Sequence, residues 1–178
     1  SYAYNIRGWM TLMDNKNKSN QPLFELNLGY TDGTHPQFNG NISNMKWNSP
    51  RLQTQRTYNF SYDEINRLTG AIYTGQQGEN YNTSYGYDNN GNILHLSRFG
   101  HTTGTNHSLI DDLSYAYKGN QLIGVNDGTD LNDPVRQEYG FKELIINTAV
   151  ASDTATHEYQ YDARSEEHTS ELQSPNTI

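Results

Sequence analysis

Aromatic and aliphatic side chains recur at every second position in short runs of this chain, and Asn, Asp and Gly separate the runs. Phe24, Leu26 and Leu28 alternate with polar residues, and tyrosines are repeatedly paired as Tyr-x-Tyr. Because successive side chains of a β-strand point to opposite faces, residues two apart share a face. The pattern predicts strands that each carry one apolar face and are joined by polar turns.

A unit that opens with Tyr-x-Tyr is repeated along the chain. In its clearest copy Tyr62 precedes Asp63, and Arg67-Leu68 begins the return strand. The Asp can accept hydrogen bonds from backbone N–H groups in an Asx turn, and a Gly or Asn shortly after it tolerates a positive φ. Each copy therefore predicts a β-hairpin. The copies lie at 2–9, 58–71, 85–94, 113–123 and 159–163, with a weaker copy at 38–42.

Two parts of the chain between the copies lack the repeat pattern. Residues 14–21 are polar and are predicted as a loop, and 142–151 is compatible with either a short helix or a strand. Within the third copy, Gly119-Asn120 predicts a two-residue turn with both central residues at positive φ. The residues that define the repeat are Tyr2, Tyr4, Phe60, Tyr62, Asp63, Arg67, Leu68, Tyr85, Tyr87, Asp88, Gly91, Asn92, Tyr115, Tyr117, Gly119, Asn120, Tyr159, Tyr161 and Asp162.

The repetition of hairpins determines the predicted fold class. A lone hairpin is marginal in water. It becomes stable when neighbouring hairpins stack their faces, at roughly 0.2–1 kcal/mol for each cross-strand pair. The stability of such an array is close to a sum over units and their interfaces. The sequence therefore predicts an all-β fold in which antiparallel hairpins form an extended, twisted sheet.

Composition supports a folded β protein and excludes several functions. Only 33% of the residues are hydrophobic, but the chain holds 14 Tyr, 15 Gly and 22 Asn, whereas disordered chains are poor in aromatics. The net charge of -8 argues against nucleic acid as a partner. No run approaches the roughly 20 apolar residues of a membrane span. The absence of cysteine excludes disulfides and thiolate metal sites.

The segment 164–178 differs from the rest of the chain. Arg164 through Gln173 match, residue for residue, the in-frame translation of a common short-read sequencing adapter. We expect this segment to be non-native and disordered, and the repeat region to span 1–163. The carboxylates and histidine at 166–168 are therefore excluded as a candidate metal or acid–base site.

The repeat resembles the YD repeats of the Rhs family over about 1–163. The pattern Y-x-Y-D-x-x-[NG]-R-L-T is present at 60–69, and Y-x-Y-D-x-x-G-N-I at 85–93. The opening segment 4–9 is similar to segments just ahead of the Rhs-associated core in Bacteroidetes-type proteins. The chain departs from the pattern at Phe60, where the first tyrosine is expected, and at Asn66, where Gly is more usual.

The resemblance implies a function that the residues alone do not show. In the Rhs family, YD repeats wind into a hollow spiral β-shell that encloses a C-terminal toxin or effector. The chain would then be a structural shell segment of a polymorphic-toxin type protein, secreted or exposed on a bacterial cell surface. Its partners would be the rest of its own parent chain, namely further repeats, the core domain and the enclosed effector.

Candidate chemical sites are weak. Adjacent Asp111 and Asp112 could suggest a hydrolase, but neighbours on a strand point to opposite faces and cannot flank one sugar, so a solvated loop is predicted. His101 and His107 with Asp111 match no zinc-ligand spacing. In the Asp88 turn, Gly falls too early for a calcium loop. No catalytic, cofactor or metal site is predicted, and the protein is not expected to be an enzyme.

An alternative function is carbohydrate binding at a cell surface. Trp9 and Trp47, together with the rows of tyrosine, could stack on sugar rings. Tyrosine at paired positions also fits packing between strands, which is the favoured interpretation.

Overall fold

The computed structural model describes residues 1–102, 104–129, 140–141, 159–161 and 167–169. All regular structure in these ranges is β-strand. Ten strands form one open antiparallel sheet, and each strand is hydrogen-bonded to the next along the chain. The prediction of an all-β fold built from antiparallel hairpins is confirmed.

The strands of the main sheet are short and follow one another directly. They are β1 (Tyr2–Tyr4), β2 (Met10–Lys16), β3 (Pro22–Gly29), β4 (Asn44–Asn48), β5 (Arg56–Tyr62), β6 (Leu68–Thr74), β7 (Thr83–Tyr87), β8 (Ile93–His101), β9 (His107–Lys118) and β10 (Gln121–Asp127). A separate two-stranded sheet pairs β11 (Tyr159–Tyr161) with β12 (Glu167–Thr169), and β11 contacts β10.

Because every strand runs antiparallel to the one before it, the connections alternate between the two sides of the sheet at which the strands end. We call the edge that carries the connections 5–9, 30–43, 63–67, 88–92 and 119–120 the turn edge. The opposite edge, with the connections β2–β3, β4–β5, β6–β7 and β8–β9, is the loop edge. The predicted hairpin turns therefore lie in a row along one side of the sheet.

One face of the sheet carries the large apolar side chains. Tyr58 lies opposite Met45 on one side and Tyr73 on the other, and cross-strand partners share a face. Ala71 and Leu113 on this face are only 5% exposed. We call it the aromatic face; its members include Trp47, Tyr58, Phe60, Tyr73, Tyr85, Leu96, Leu113 and Tyr115.

The opposite face is polar along the same strands. Its cross-strand partners include Lys46 with Thr57 and Ser84 with Ser97, whose hydroxyls lie 2.7 Å apart. Ile72 lies on this face and is 53% exposed. The alternation of apolar and polar residues in the sequence therefore becomes a sheet with one apolar and one polar side.

Four sequence predictions about the repeat region differ from the structure. Asp111 and Asp112 lie within β9 and not in a solvated loop, because Asp111 has an arginine partner across the strands. Residues 14–21 hold the end of β2 and a tight turn. The weak copy at 38–42 lies in the β3–β4 connection and forms no hairpin. Gly119 has a φ of 65°, but Asn120 keeps a negative φ, the pattern of a type II′ turn.

The segment predicted to be disordered contributes a strand. Glu167–Thr169 pair with Tyr159–Tyr161, which differs from the expected disorder of 164–178. A Tyr-x-Tyr strand has free backbone groups at its edge, and these can pair with any extended segment nearby. The rest of that segment, residues 142–151 and Asp162 lie outside the described residues.

Candidate functional site

The Asp63 turn shows how one repeat unit is built. Asp63 Oδ1 accepts hydrogen bonds from the N–H groups of Ile65, at 3.1 Å, and Arg67, at 2.8 Å. The Asp63 N–H donates to Arg67 O at 2.9 Å, which closes the turn. Asn66 has a φ of 69°, a left-handed conformation that Asn tolerates better than most residues. The carboxylate therefore accepts hydrogen bonds from N–H groups of the turn that would otherwise have no partner in the backbone.

The same turn recurs three more times in the part of the chain that the structure describes. Asn5, Asn17 and Asp88 each accept bonds at Oδ1 from the N–H groups two and four residues later, at 2.8–3.0 Å. Positive φ falls three residues after each of them, at Gly8, Asn20 and Gly91. Asn can replace Asp because only one side-chain oxygen is needed as the acceptor.

The Asn17 copy is the one that sequence reasoning missed. Lys16 stands where the other copies have Tyr4, Tyr62 and Tyr87, so the tyrosine signal is absent. The signal that identifies it is the spacing of Asn17 to Asn20, which matches the spacing of Asp63 to Asn66. This copy lies on the loop edge, whereas the other three lie on the turn edge.

Asn20 offers a test of the turn geometry. Replacing it with Val is expected to lower the free energy of unfolding by about 1–2 kcal/mol, because a β-branched residue is strained at its φ of 61°. Asn20→Gly should change stability by less than about 0.5 kcal/mol. Lys18→Val, at an exposed position of the same turn, is the matched control. Urea denaturation of the three variants provides the measurement, and equal midpoints for Asn20→Val and Lys18→Val would contradict the geometry.

A shift of strand register precedes each of these turns. On the turn edge it falls at Tyr4, Tyr62 and Tyr87, which pair with Met10, Leu68 and Ile93. The extra residue lies on the return strand, at Thr11, Thr69 and Leu94, and a bulge of this kind bends its strand and increases the local twist. The second tyrosine of the unit therefore ends its strand beside a bulge.

In three copies of the unit, the hydroxyl of the second tyrosine bonds its hairpin to the one before it. Tyr62 donates to Ile42 O at 2.8 Å, and Tyr87 donates to Leu68 O at 2.7 Å. Tyr117 donates to Ile93 O at 2.9 Å. In each pair the acceptor lies at or just before the start of the preceding even-numbered strand. The hydroxyl therefore satisfies a carbonyl next to the end of the backbone ladder.

Tyr30 repeats this contact without belonging to a predicted copy. Its hydroxyl donates to Met10 O at 2.8 Å, from the residue that follows β3. No Tyr-x-Tyr pair marks this position, because Leu28 occupies the place of the first tyrosine. The contact is thus present at four successive junctions between hairpins.

Side chains also join neighbouring turns along the turn edge. Arg67 forms an ion pair with Asp63 at 2.6 Å, donates to Asp88 O at 2.6 Å and lies 4.6 Å above the Tyr87 ring. Asn92 Nδ2 donates to Asp88 Oδ2 at 2.8 Å and to Asn120 Oδ1 at 3.2 Å. Asp63, Asp88 and Asn120, which are distant in sequence, are thereby connected in one row.

Burial and hydrogen bonding shift the ionisation of these groups. Burial raises the pKa of Tyr62, Tyr87 and Tyr117 above the ordinary value. The Asn92 side chain and three backbone N–H groups lower the pKa of Asp88. Burial opposes ionisation of Asp63, but the bonds and charge of Arg67 outweigh it and lower the pKa. At neutral pH the tyrosines donate and the carboxylates accept, as the contacts require.

A second polar cluster lies at the loop edge. Arg56 is 8% exposed and pairs with Glu79 at 2.7 Å, while the Tyr73 hydroxyl donates to the other Glu79 oxygen at 2.6 Å. Burial and the Glu79 carboxylate raise the pKa of Tyr73 well above its ordinary value. Burial disfavours the charged form of Glu79, but bonds from Tyr73 and Gln76 and the charge of Arg56 lower its pKa. Glu79 thus holds the β6–β7 connection against the aromatic face.

Glu79→Gln is expected to lower the free energy of unfolding at pH 7 by about 2–3 kcal/mol, because it leaves the Arg56 charge without its partner. The folded pKa of Glu79 lies below the unfolded value. The contribution of Glu79 to stability is therefore complete above the unfolded pKa and is lost as pH falls through the lower, folded pKa. Urea midpoints at pH 7 and pH 3 should differ less in the variant than in the wild type. The exposed Glu64→Gln serves as control, and an equal pH dependence in both variants would contradict this role.

The carboxylates considered for hydrolysis point to different faces of the sheet. Asp111 is 2% exposed, pairs with Arg98 and accepts a bond from the Phe141 N–H. Asp112 lies opposite Ser97 on the polar face, with His95 Nε2 3.3 Å from its carboxylate. The two carboxylates therefore do not converge on one substrate position.

The histidines considered as metal ligands lie opposite each other in the β8–β9 ladder. The rings of His101 and His107 are 5.4 Å apart, and His107 also packs edge-on against Tyr81. Across the ranges that the structure describes, no three His, Asp or Glu side chains are grouped to hold a metal ion. In the Asp88 turn both carboxylate oxygens are bonded within the turn, so its geometry is that of a hairpin connection.

The two tryptophans considered for glycan stacking are half-buried and contact other side chains. The Trp9 ring lies 5.0 Å from the Tyr30 ring and 5.0 Å from the Arg7 guanidinium. The Trp47 ring is stacked on Tyr58 at 5.7 Å. Both rings are thus part of the packing of the aromatic face and the turn edge.

No family model matches the chain, and no curated protein matches it at a significant level. Among the residues with described positions, no helix has the length and apolar character needed to cross a membrane. The class that the fold defines is an array of β-hairpins with a repeated turn and a repeated tyrosine contact.

Proposed function

We propose that the chain is a structural, non-enzymatic segment of a large Rhs-type YD-repeat protein, and that its hairpins form part of a shell around a C-terminal effector. The observation that carries this proposal is the tyrosine hydroxyl that bonds each hairpin to its predecessor. Because the same contact recurs at four junctions, the array can be lengthened by adding further units.

The chemistry of the described side chains supports a structural role. Asp63, Asp88, Glu79 and Asp111 each accept hydrogen bonds from groups within the fold. A carboxylate that serves as general acid or nucleophile must instead face a substrate. The carboxylates here act as partners for turn N–H groups and for arginines.

The cellular location of the protein follows from the same proposal. A shell around an effector belongs to a protein that is secreted or exposed on a bacterial surface, and the partners of this segment are other parts of its parent chain. The polar face would contact solvent on one side of the wall. The aromatic face would contact further shell residues or the enclosed effector.

The first test is the coding sequence on both sides of residues 1–163. The proposal expects further units of Tyr-x-Tyr-Asx followed by Gly or Asn three residues later. It also expects a core domain and a non-repetitive C-terminal region downstream. Flanking sequence without such units would contradict it.

Limited proteolysis of the parent protein tests encapsulation directly. The effector region should resist protease in the intact shell and become sensitive when Tyr62, Tyr87 and Tyr117 are replaced by phenylalanine. Equal sensitivity in both proteins would count against a shell. A glycan array tests the carbohydrate-binding alternative. Specific retention of this chain on the array would favour carbohydrate binding over the shell if it is lost in Trp47→Ala while the far-UV circular dichroism stays unchanged.

A further inference from the structure

We infer that the outer edge of β1 is a binding site for an antiparallel β-strand that opens with a long apolar residue, and that the Tyr4 hydroxyl selects it. The site rests on the proposed function, because it is the place at which another hairpin would join the array. The inference adds the chemistry of the partner and the residue that recognises it.

The junctions inside the sheet show what such a strand must offer. The carbonyls that accept a tyrosine hydroxyl belong to Met10, Ile42, Leu68 and Ile93. All four carry long apolar side chains, and each lies at or just before the start of an even-numbered strand. The partner of an odd-numbered strand is therefore an antiparallel strand with an apolar first residue.

Tyr4 occupies the same position in its own unit but has no acceptor. It ends β1, precedes the Asn5 turn and pairs with Met10 across a register shift, as Tyr62 does with Leu68. Its side chain is 60% exposed, and its hydroxyl makes no hydrogen bond to any residue that the structure describes. Tyr4 is thus built as a donor to a strand on the outer side of β1.

The backbone of β1 supplies a second contact. Ser1 and Asp14 exchange both of their backbone hydrogen bonds, so the next residue, Tyr2, directs its N–H and C=O away from β2. Inside the sheet, the equivalent Phe60 N–H donates to Ser43 O at 2.9 Å, next to the Ile42 carbonyl that accepts from Tyr62. An incoming strand can therefore receive bonds on two successive carbonyls.

The composition of this edge favours strand addition. β1 contains no charged residue and no proline, the features that commonly protect an exposed edge. Tyr2 is 63% exposed and Ile6, in the adjoining turn, is fully exposed. Hydrogen bonds between the two backbones would supply the affinity, as in other cases of strand addition. The side chains of Tyr2 and Ile6 would supply the apolar contact area.

A peptide spanning residues 66–74, with a fluorophore at its N-terminus, is the probe. It contains β6 and the two turn residues that precede it, and so presents the Leu68 carbonyl. Fluorescence anisotropy with the full 178-residue chain should show saturable binding. Tyr4→Phe should weaken binding roughly three- to tenfold, the effect of one lost hydrogen bond.

Two controls make the result specific. Tyr117→Phe removes the hydroxyl of a junction on β9, far from β1 in the strand order, and should leave binding unchanged. A peptide with Leu68→Asp should bind more weakly than the original. Equal affinity for wild type and Tyr4→Phe, or no saturable binding up to about 1 mM peptide, would overturn the site.

This experiment and the test of the shell can fail independently. Peptide binding that depends on Tyr4, in a protein whose flanking sequence lacks repeats, would retain the strand site and reject the shell. Repeats in the flanking sequence without peptide binding would retain the shell and reject the strand site.

Discussion

Replacing Tyr62, Tyr87 and Tyr117 together with phenylalanine is expected to lower the free energy of unfolding by about 3–4.5 kcal/mol. Each substitution keeps the ring on the aromatic face and removes one hydroxyl that bonds two hairpins. A lost hydrogen bond of this kind costs about 1–1.5 kcal/mol, and the three hydroxyls donate to three different carbonyls, so the expected loss is the sum of three such bonds.

Urea denaturation followed by far-UV circular dichroism measures this loss. The double variant Tyr2→Phe and Tyr4→Phe is the matched control, because both hydroxyls are exposed and make no hydrogen bond to a described residue. Its midpoint should equal that of the wild type. If the triple variant also unfolded at the wild-type midpoint, the hydroxyl contacts would not be what joins the hairpins.

Alkaline pH is expected to unfold the protein in a steep transition that begins above about pH 10. Burial raises the pKa of six tyrosines, and for Tyr73 the Glu79 carboxylate adds to the effect. In the unfolded chain these phenols ionise near pH 10, whereas in the fold they keep their protons to higher pH. Above pH 10 the unfolded state therefore binds fewer protons, and the free energy of unfolding falls as pH rises. The six are Tyr58, Tyr62, Tyr73, Tyr87, Tyr115 and Tyr117.

Phenolate absorbance at alkaline pH follows this transition. The absorbance should rise more steeply than a single ionisation, over the same pH interval in which the β-sheet signal in circular dichroism disappears. In the triple phenylalanine variant the steep rise in absorbance should be smaller, and the transition should release fewer protons. A gradual titration with an intact β-sheet signal would show that the hydroxyls ionise without breaking the junctions.

The repeated junction explains how a chain poor in aliphatic residues holds a ten-stranded sheet. Few apolar residues are buried, and among them Ala71, Leu113 and Val125 are only 5% exposed. Tyrosine rings, with Trp47, Phe60 and Leu96, supply much of the rest of the apolar face, and tyrosine hydroxyls bond one hairpin to the next. A wall of this kind needs no second layer to join one unit to the next, which suits the proposed role in a shell.

Residues close in sequence made the hairpins predictable. The turn after Tyr62 and the one after Tyr87 depend on an Asx residue and a positive φ three residues later, and both signals can be read without a structure. The Asn17 turn was missed only because Lys16 replaces the tyrosine. Asp111 was wrongly predicted to lie in a solvated loop because its partner Arg98 lies on another strand, and strand alternation alone does not reveal that pairing.

Local physics therefore sets the fold class, the hairpins and the apolar face of each strand, because these depend on side-chain period and on turns of five residues. The order of strands and the hydroxyl of Tyr117 on the Ile93 carbonyl depend on how separate hairpins align. The same is true of the buried Arg56–Glu79 pair. These contacts join residues 23 or 24 positions apart, so they exist only once the register between neighbouring hairpins is established.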